Sequence, residues 1–133
     1  MTSTESMSTT DVQVRRRHAE SYLAAAELVH ELGDDADVEA IANVVGSLAV
    51  LAGIAAADTI CGAALGVRSS SKTHGDAVEL LRRVDKGAAL APTLNRLLGA
   101  KTRTQYSPSL LSTGQADDML GWARRLVELA GSF

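Results

Sequence analysis

The stretch IANVVGSLAVLAGIAAADTICGAALGV, Ile41 to Val67, decides the fold, because it carries one charge, Asp58, and is otherwise small or apolar. Its length suits a membrane span. Yet the apolar residues are mostly Ala and Gly, Asn43, Ser47 and Asp58 interrupt them, and no aromatic belt flanks the run. It therefore reads as the central helix of a soluble bundle, apolar all round because neighbours cover it. Val44, Leu48, Leu51, Ala55, Asp58 and Leu65 fall on one line. Gly46 and Gly53 lie a heptad apart, and Gly62 and Gly66 a turn apart. Glycine costs a helix about 1 kcal/mol per position, so these four imply a packing reason.

On the N-terminal side, Asp11 is placed to cap a first helix whose stripe Val14, His18, Tyr22, Ala25, Val29 and Leu32 steps by four and three. Gly33 ends it, and Asp34 and Asp35 start the long second helix, which runs to about Val67. On the C-terminal side a third helix starts near Thr73, with Asp76 completing a capping box, and carries Val78, Leu81 and Val84. Gly87 and Pro92 interrupt the pattern. A fourth helix runs through Leu94, Leu97 and Leu98 towards Lys101. After YSPSLLS, Tyr106 to Ser112, a Ser112–Gln115 box opens a last helix with Ala116, Met119, Ala123, Leu126 and Ala130 on its stripe. No alternating strand pattern and no internal repeat interrupts this rhythm. The expected fold is all-α: an antiparallel up-and-down bundle of four main helices, with a short extra helix or kink near Gly87.

The 133 residues fit one domain, here 11–133, behind a flexible polar N-terminus, 1–10. That lead-in, MTSTESMSTT, has neither a basic nor an apolar stretch, so it is no signal peptide and a cytoplasmic location is expected. Aromatic residues are only 3%, which argues against a base-stacking platform for single strands. A net charge of -3 argues against gripping nucleic acid by bulk charge, so any basic site is local. A lone Cys61 excludes an internal disulfide, and with three scattered His it gives no zinc spacing; no metal and no cofactor is expected.

Short connections between antiparallel helices sort the charges into two poles. One holds Glu31, Asp34, Asp35, Asp37 and Glu39. The other gathers Arg15, Arg16, Arg17, Arg68, Lys72, His74, Lys101, Arg103 and Tyr106, provided the chain reverses at Gly87. Helix N-termini near Thr73 and Ser112 would point free backbone amides into that basic pole. A solvated surface with no ligand gives the same pattern.

The small-residue-rich second helix, SKTHGDAVELL opening the third, and LLGAKTRTQYSP before an Ala-rich helix resemble the HEPN family. That family comprises small helical bundles associated with nucleotidyltransferases and with RNase toxins, and the likeness covers about Tyr22 to Leu129. Its RNase members carry an arginine and a histidine, four to six residues between them, where the fourth helix closes. Aligned on the Ser-Pro turn, Lys101 stands in the arginine place and Tyr106 in the histidine place. Both departures weaken a nuclease, since a tyrosine of ordinary pKa, near 10, is a poor proton shuttle and lysine lacks the bidentate fork. The resemblance thus implies a non-catalytic binding module, with a nucleotide or RNA phosphate as ligand or a nucleotidyltransferase as partner in a toxin–antitoxin arrangement. It also implies a homodimer, for which Gly46, Gly53 and the Ala-rich faces offer close-packing surfaces.

Lys101, Arg103 and Tyr106 are the expected centre of the ligand site, with Arg68 and His74 as contributors. RSSSKTH, Arg68 to His74, has the nuclease spacing but sits between the second and third helices. The alternative it leaves open is a metal-independent RNase, with His74 moving the proton and Arg68 steadying the phosphate. A purely structural interaction protein is the third possibility. Asp58, a lone carboxylate on an apolar helix, needs a partner. Helix rise places it opposite Asp11 to Arg15, so Arg15 leads, followed by Arg82 or Arg83. His18 reads as an interior histidine and Cys61 as a small core residue.

Overall fold

The computed structural model describes residues 3–70, 74–105, 108 and 110–133, without the side chains of 102 and 103. The chain is mainly helical. In order it forms β1 (Thr4–Ser6), α1 (Thr9–Leu32), α2 (Ile41–Leu65), β2 (Val67–Ser69), α3 (His74–Arg82), a 3-10 turn (Ala88–Leu90), α4 (Ala91–Gly99), α5 (Lys101–Gln105) and α6 (Thr113–Ala130).

α2 is the axis of the molecule, and its glycines explain how the others approach it. A methyl group added at Gly62 would lie 2.8 Å from Val12 Cγ2, and one at Gly33 would lie 2.8 Å from Ile41 Cγ1. These contacts set α1 and α2 antiparallel. A methyl at Gly46 would lie 2.7 Å from Thr104 Cγ2 and 3.3 Å from Met119 Sδ, while one at Gly53 would strike Leu97. So α4 and α5 run against α2, and α6, which also meets Gly53 through Leu126, runs alongside it. Gly46 and Gly53 therefore receive helices of the same chain and are not free for a second copy, contrary to the expectation that they offer a dimer surface.

The core is layered on small side chains. Ala49, Val50, Ala52, Ala55, Ala56 and Ile60 of α2 are fully buried against Leu80, Leu81, Leu94, Leu97, Leu126 and Ala123. The stripes expected on α3, α4 and α6 are the buried ones: Val78, Leu81 and Val84; Leu94, Leu97 and Leu98; Ala116, Met119, Ala123, Leu126 and Ala130. The α1 and α2 stripes are not. α1 buries Val12, Ala19 and Ala26, and exposes Val14, His18 and Leu32. α2 buries almost every face, and of its expected line only Ala55 is fully buried, while Val44, Leu48, Asp58 and Leu65 are half-buried and Leu51 is exposed. The apolar count could not separate the faces, because the buried side of α1 is built from alanine.

Four local expectations change. Ser8, not Asp11, is the α1 N-cap; its hydroxyl accepts from the Asp11 N–H at 3.1 Å while Asp11 Oδ2 accepts from the Ser8 N–H at 2.9 Å. α2 begins at Ile41 rather than at Asp34 and Asp35, because residues 33–40 turn through Asp37, which has φ +59°. It ends at Leu65 because Gly66 takes φ +73°, a left-handed conformation that favours glycine. Finally, residues 4–6, expected in a flexible lead-in, pair antiparallel with β2 in the register Thr4 with Ser69, Glu5 with Arg68 and Ser6 with Val67. Met7 follows, buried, with its N–H on the Gly66 carbonyl at 2.8 Å. The strands escaped notice because three residues each are too few to show alternation. The Ser112–Gln115 capping box does open α6, with 2.9 and 3.1 Å bonds.

Candidate functional site

Six elements converge on one cavity of about 460 Å³ on the flank of α2. α1 gives Arg15, α2 gives Ile54, Ala57 and Asp58, and β2 with the residue after it gives Arg68, Ser69 and Ser70. α3 gives His74 and Ala77, α4 gives Leu94 and Leu98, and α5 gives Lys101. The reversal through Val84 to Leu90 makes this convergence, because it returns α4 beside α3 and so brings Lys101 to the level of His74. The result is an apolar floor under a charged rim.

Each charge on the rim has a distinct state. Arg15 places Nε and Nη2 each 3.0 Å from Asp58 Oδ2, and its Nη1 lies 3.0 Å from His18 Nδ1. Burial pushes the Asp58 carboxyl above its ordinary range, and the Arg15 charge and hydrogen bond only partly oppose that shift. An arginine held this way is an oriented cation with one face already committed. Arg68 is bound through Nη2 by Glu5, its cross-strand neighbour. The Lys101 carbonyl accepts from Thr104 Oγ1 at 2.7 Å, while its half-buried side chain has no hydrogen-bond or ion-pair partner among the described residues. Around the cavity the cations Arg15, Arg68 and Lys101 outnumber the single lining carboxylate, and His74 adds a fourth when protonated.

The structure thus gathers Lys101, Arg68, His74, Arg15 and Asp58, which the sequence had divided between a centre, a loop motif and a structural pair. Tyr106, Lys72 and the side chain of Arg103 lie outside the described residues. The α6 N-terminus does not join the site. Leu111 N–H donates to Asn43 Oδ1 at 3.0 Å and Asn43 Nδ2 donates to the Thr104 carbonyl at 3.3 Å, which fixes Ser112 at the start of α2. Fifteen helical residues, about 22 Å, separate Asn43 from Asp58. His18 is exposed and its ring tilts against Tyr22 at 6.2 Å, so it is not the interior histidine expected. Cys61 is buried, and desolvation pushes its thiol up to about 12, leaving it protonated at neutral pH. Arg82 is taken by Glu79 on the surface of α3. Among the described residues no group of three His, Cys, Asp or Glu could hold a metal ion.

The apolar floor, Ile54, Ala57, Ala77, Leu94 and Leu98, was not foreseen. Its only signal is apolar residues on three separate helices, indistinguishable in sequence from core. No family model, curated protein or solved structure matches the chain. The functional reading therefore rests on the geometry of this cavity.

Proposed function

We propose that the chain is a non-catalytic, HEPN-like binding module whose cavity takes the phosphate of a nucleotide or of an RNA. The observation that carries this is the half-buried Lys101 side chain, without an ion-pair partner among the described residues, at a rim that Arg15 and Arg68 also line. A phosphate there gains a charge-assisted bond from Lys101, and the positive charges of Arg15 and Arg68, although already bonded to Asp58 and Glu5, add to the attraction. The floor below accepts an apolar face, such as that of a base or ribose carbon, and a cavity of about 460 Å³ admits a single nucleotide unit.

Calorimetric titration of mononucleotides, orthophosphate and short RNA tests the proposal. Losing a charge-assisted contact costs about 1.5 to 3 kcal/mol, so Lys101→Ala should weaken binding roughly tenfold to a hundredfold. Equal affinity of wild type and Lys101→Ala for every anion would remove the proposal. One observation favours a second reading, a metal-independent endoribonuclease: His74 and Arg68 line the same cavity. RNA cleavage that persists in a chelator and disappears in His74→Ala would establish that reading over the first.

A further inference from the structure

Val14, Leu28 and Leu32 are 41%, 57% and 48% exposed, and all three stand on α1. With His18, Ser21 and Ala25 they form the series 14, 18, 21, 25, 28, 32, which alternates steps of four and three. That is the seam spacing of paired helices, in which the faces stay in register over several turns. The seam points away from the molecule, because the face α1 packs inward is the separate line Val12, Ala19 and Ala26. α1 therefore carries two packing faces and has a partner for only one of them.

From this we infer that the outer face of α1 pairs with the same face of a second copy, antiparallel, about a two-fold axis between Ser21 and Ala25. Charge selects the second copy and its direction. α1 begins with Arg15, Arg16 and Arg17 and ends with Glu31, followed by Asp34 and Asp35. A parallel pair would set arginines against arginines. An antiparallel pair sets Val14 on Leu32, His18 on Leu28 and Ser21 on Ala25, and brings Arg17 beside Glu31 of the second copy, twice by symmetry. Arg17 and Glu31 are both exposed, and neither makes an ion pair among the described residues. The small Ser21 and Ala25 at the centre let the helices approach, while the larger side chains fill the two ends. One flank of the seam runs on towards α2, where the Arg15–Asp58 bond sets Tyr22 level with Leu51, a further exposed apolar residue at 38%.

This pairing is independent of the cavity and its ligand. Sedimentation of the full chain from about 1 to 100 µM should show a dimer that Leu28→Glu converts to monomer with unchanged helical circular dichroism. Arg17→Glu should weaken the dimer about tenfold, Glu31→Arg about as much, and the double swap Arg17→Glu with Glu31→Arg should restore it to within about threefold of wild type. The swapped pair lies on the surface, so its rescue reads the interface even where Leu28→Glu fails to fold. A wild type that stays monomeric across the range overturns the inference. So does a dimer that both Leu28→Glu and the single charge variants leave intact, or a face that binds lipid vesicles as a monomer.

Discussion

α1 and α2 are almost equal in length and lie side by side, yet they hold their places by different physics. α2 buries thirteen residues, including three glycines and five alanines, and receives helices on nearly every side. α1 buries three and is fastened at its margins: by Arg15 on Asp58, by Glu27 Oε1 accepting from Arg124 Nε at 2.8 Å, and by His30 Nε2 2.6 Å from Asp117 Oδ1. The lesson is that small side chains make a central helix, because each glycine or alanine admits a neighbouring backbone or a leucine. Long polar side chains make an edge helix, which needs one narrow contact strip and a few directed bonds.

The sharpest way to break this comparison is to cut a side chain from each helix. Ile60 of α2 is fully buried, and Ile60→Ala should cost about 2 to 5 kcal/mol of stability, the transfer loss plus an unfilled cavity. Denaturant unfolding measures it, and a loss below about 1 kcal/mol would deny α2 its central role. The next effect lies where the helices are stitched together. Asp58 has its carboxyl raised by burial, so the folded chain holds that proton more tightly than the unfolded chain does. Its contribution is therefore complete at low pH and is lost as pH rises from the ordinary value of 3.8 through the raised folded value. Asp11 acts in the opposite sense: its bonds with Ser8 lower it, so its stabilisation is present above the ordinary value and is lost as pH falls through the lowered one. Unfolding free energies of wild type and Asp58→Asn, compared from about pH 3 to 7, should show the wild type losing ground as pH rises. A flat or rising difference would mean that Arg15 outweighs burial. The smallest effect belongs to Leu28 on the outer face of α1, where Leu28→Ala in the monomer should change stability by no more than about 0.5 kcal/mol. A larger loss would mean that this face already packs within its own chain.

These contrasts also mark what the sequence could say. α3, α4 and α6 were legible because their leucines, valines and methionine stand on one side and polar residues on the other, so period and phase agree. Helix rise and an antiparallel turn were enough to set Arg15 level with Asp58. Phase failed on α1 because Val14, Leu28 and Leu32 face outward while Ala19 and Ala26 face inward, and hydrophobicity ranks leucine above alanine whichever face is covered. The Asp-rich turn at 34–39 read as a helix start because acidic residues suit an N-terminus, but Asp37 at positive φ spends them on a bend. The charged rim was legible as residue types and scattered as positions. Only the reversal after α3, a property of chain path and not of composition, brings Lys101, Arg68 and His74 to one opening.

The two short strands have a consequence for the order in which the chain assembles. Glu5 and Arg68 are paired, and everything between them is the α1–α2 hairpin. Formed first, that ladder would close a loop of some sixty flexible residues, a search whose entropic cost only a few hydrogen bonds would offset. Formed last, it closes nothing, because α1 and α2 have already zipped from residues 33–40 outward and delivered its two halves to each other. The ladder is thus a clasp on a finished hairpin. Amide exchange should find the Met7 and Ser70 N–H groups, bonded to Gly66 and Ser3, opening well before those in the middle of α2. Since Arg68 stands in this clasp, every opening of it also removes one wall of the cavity, so the last part of the chain to fold is the part that completes the cavity.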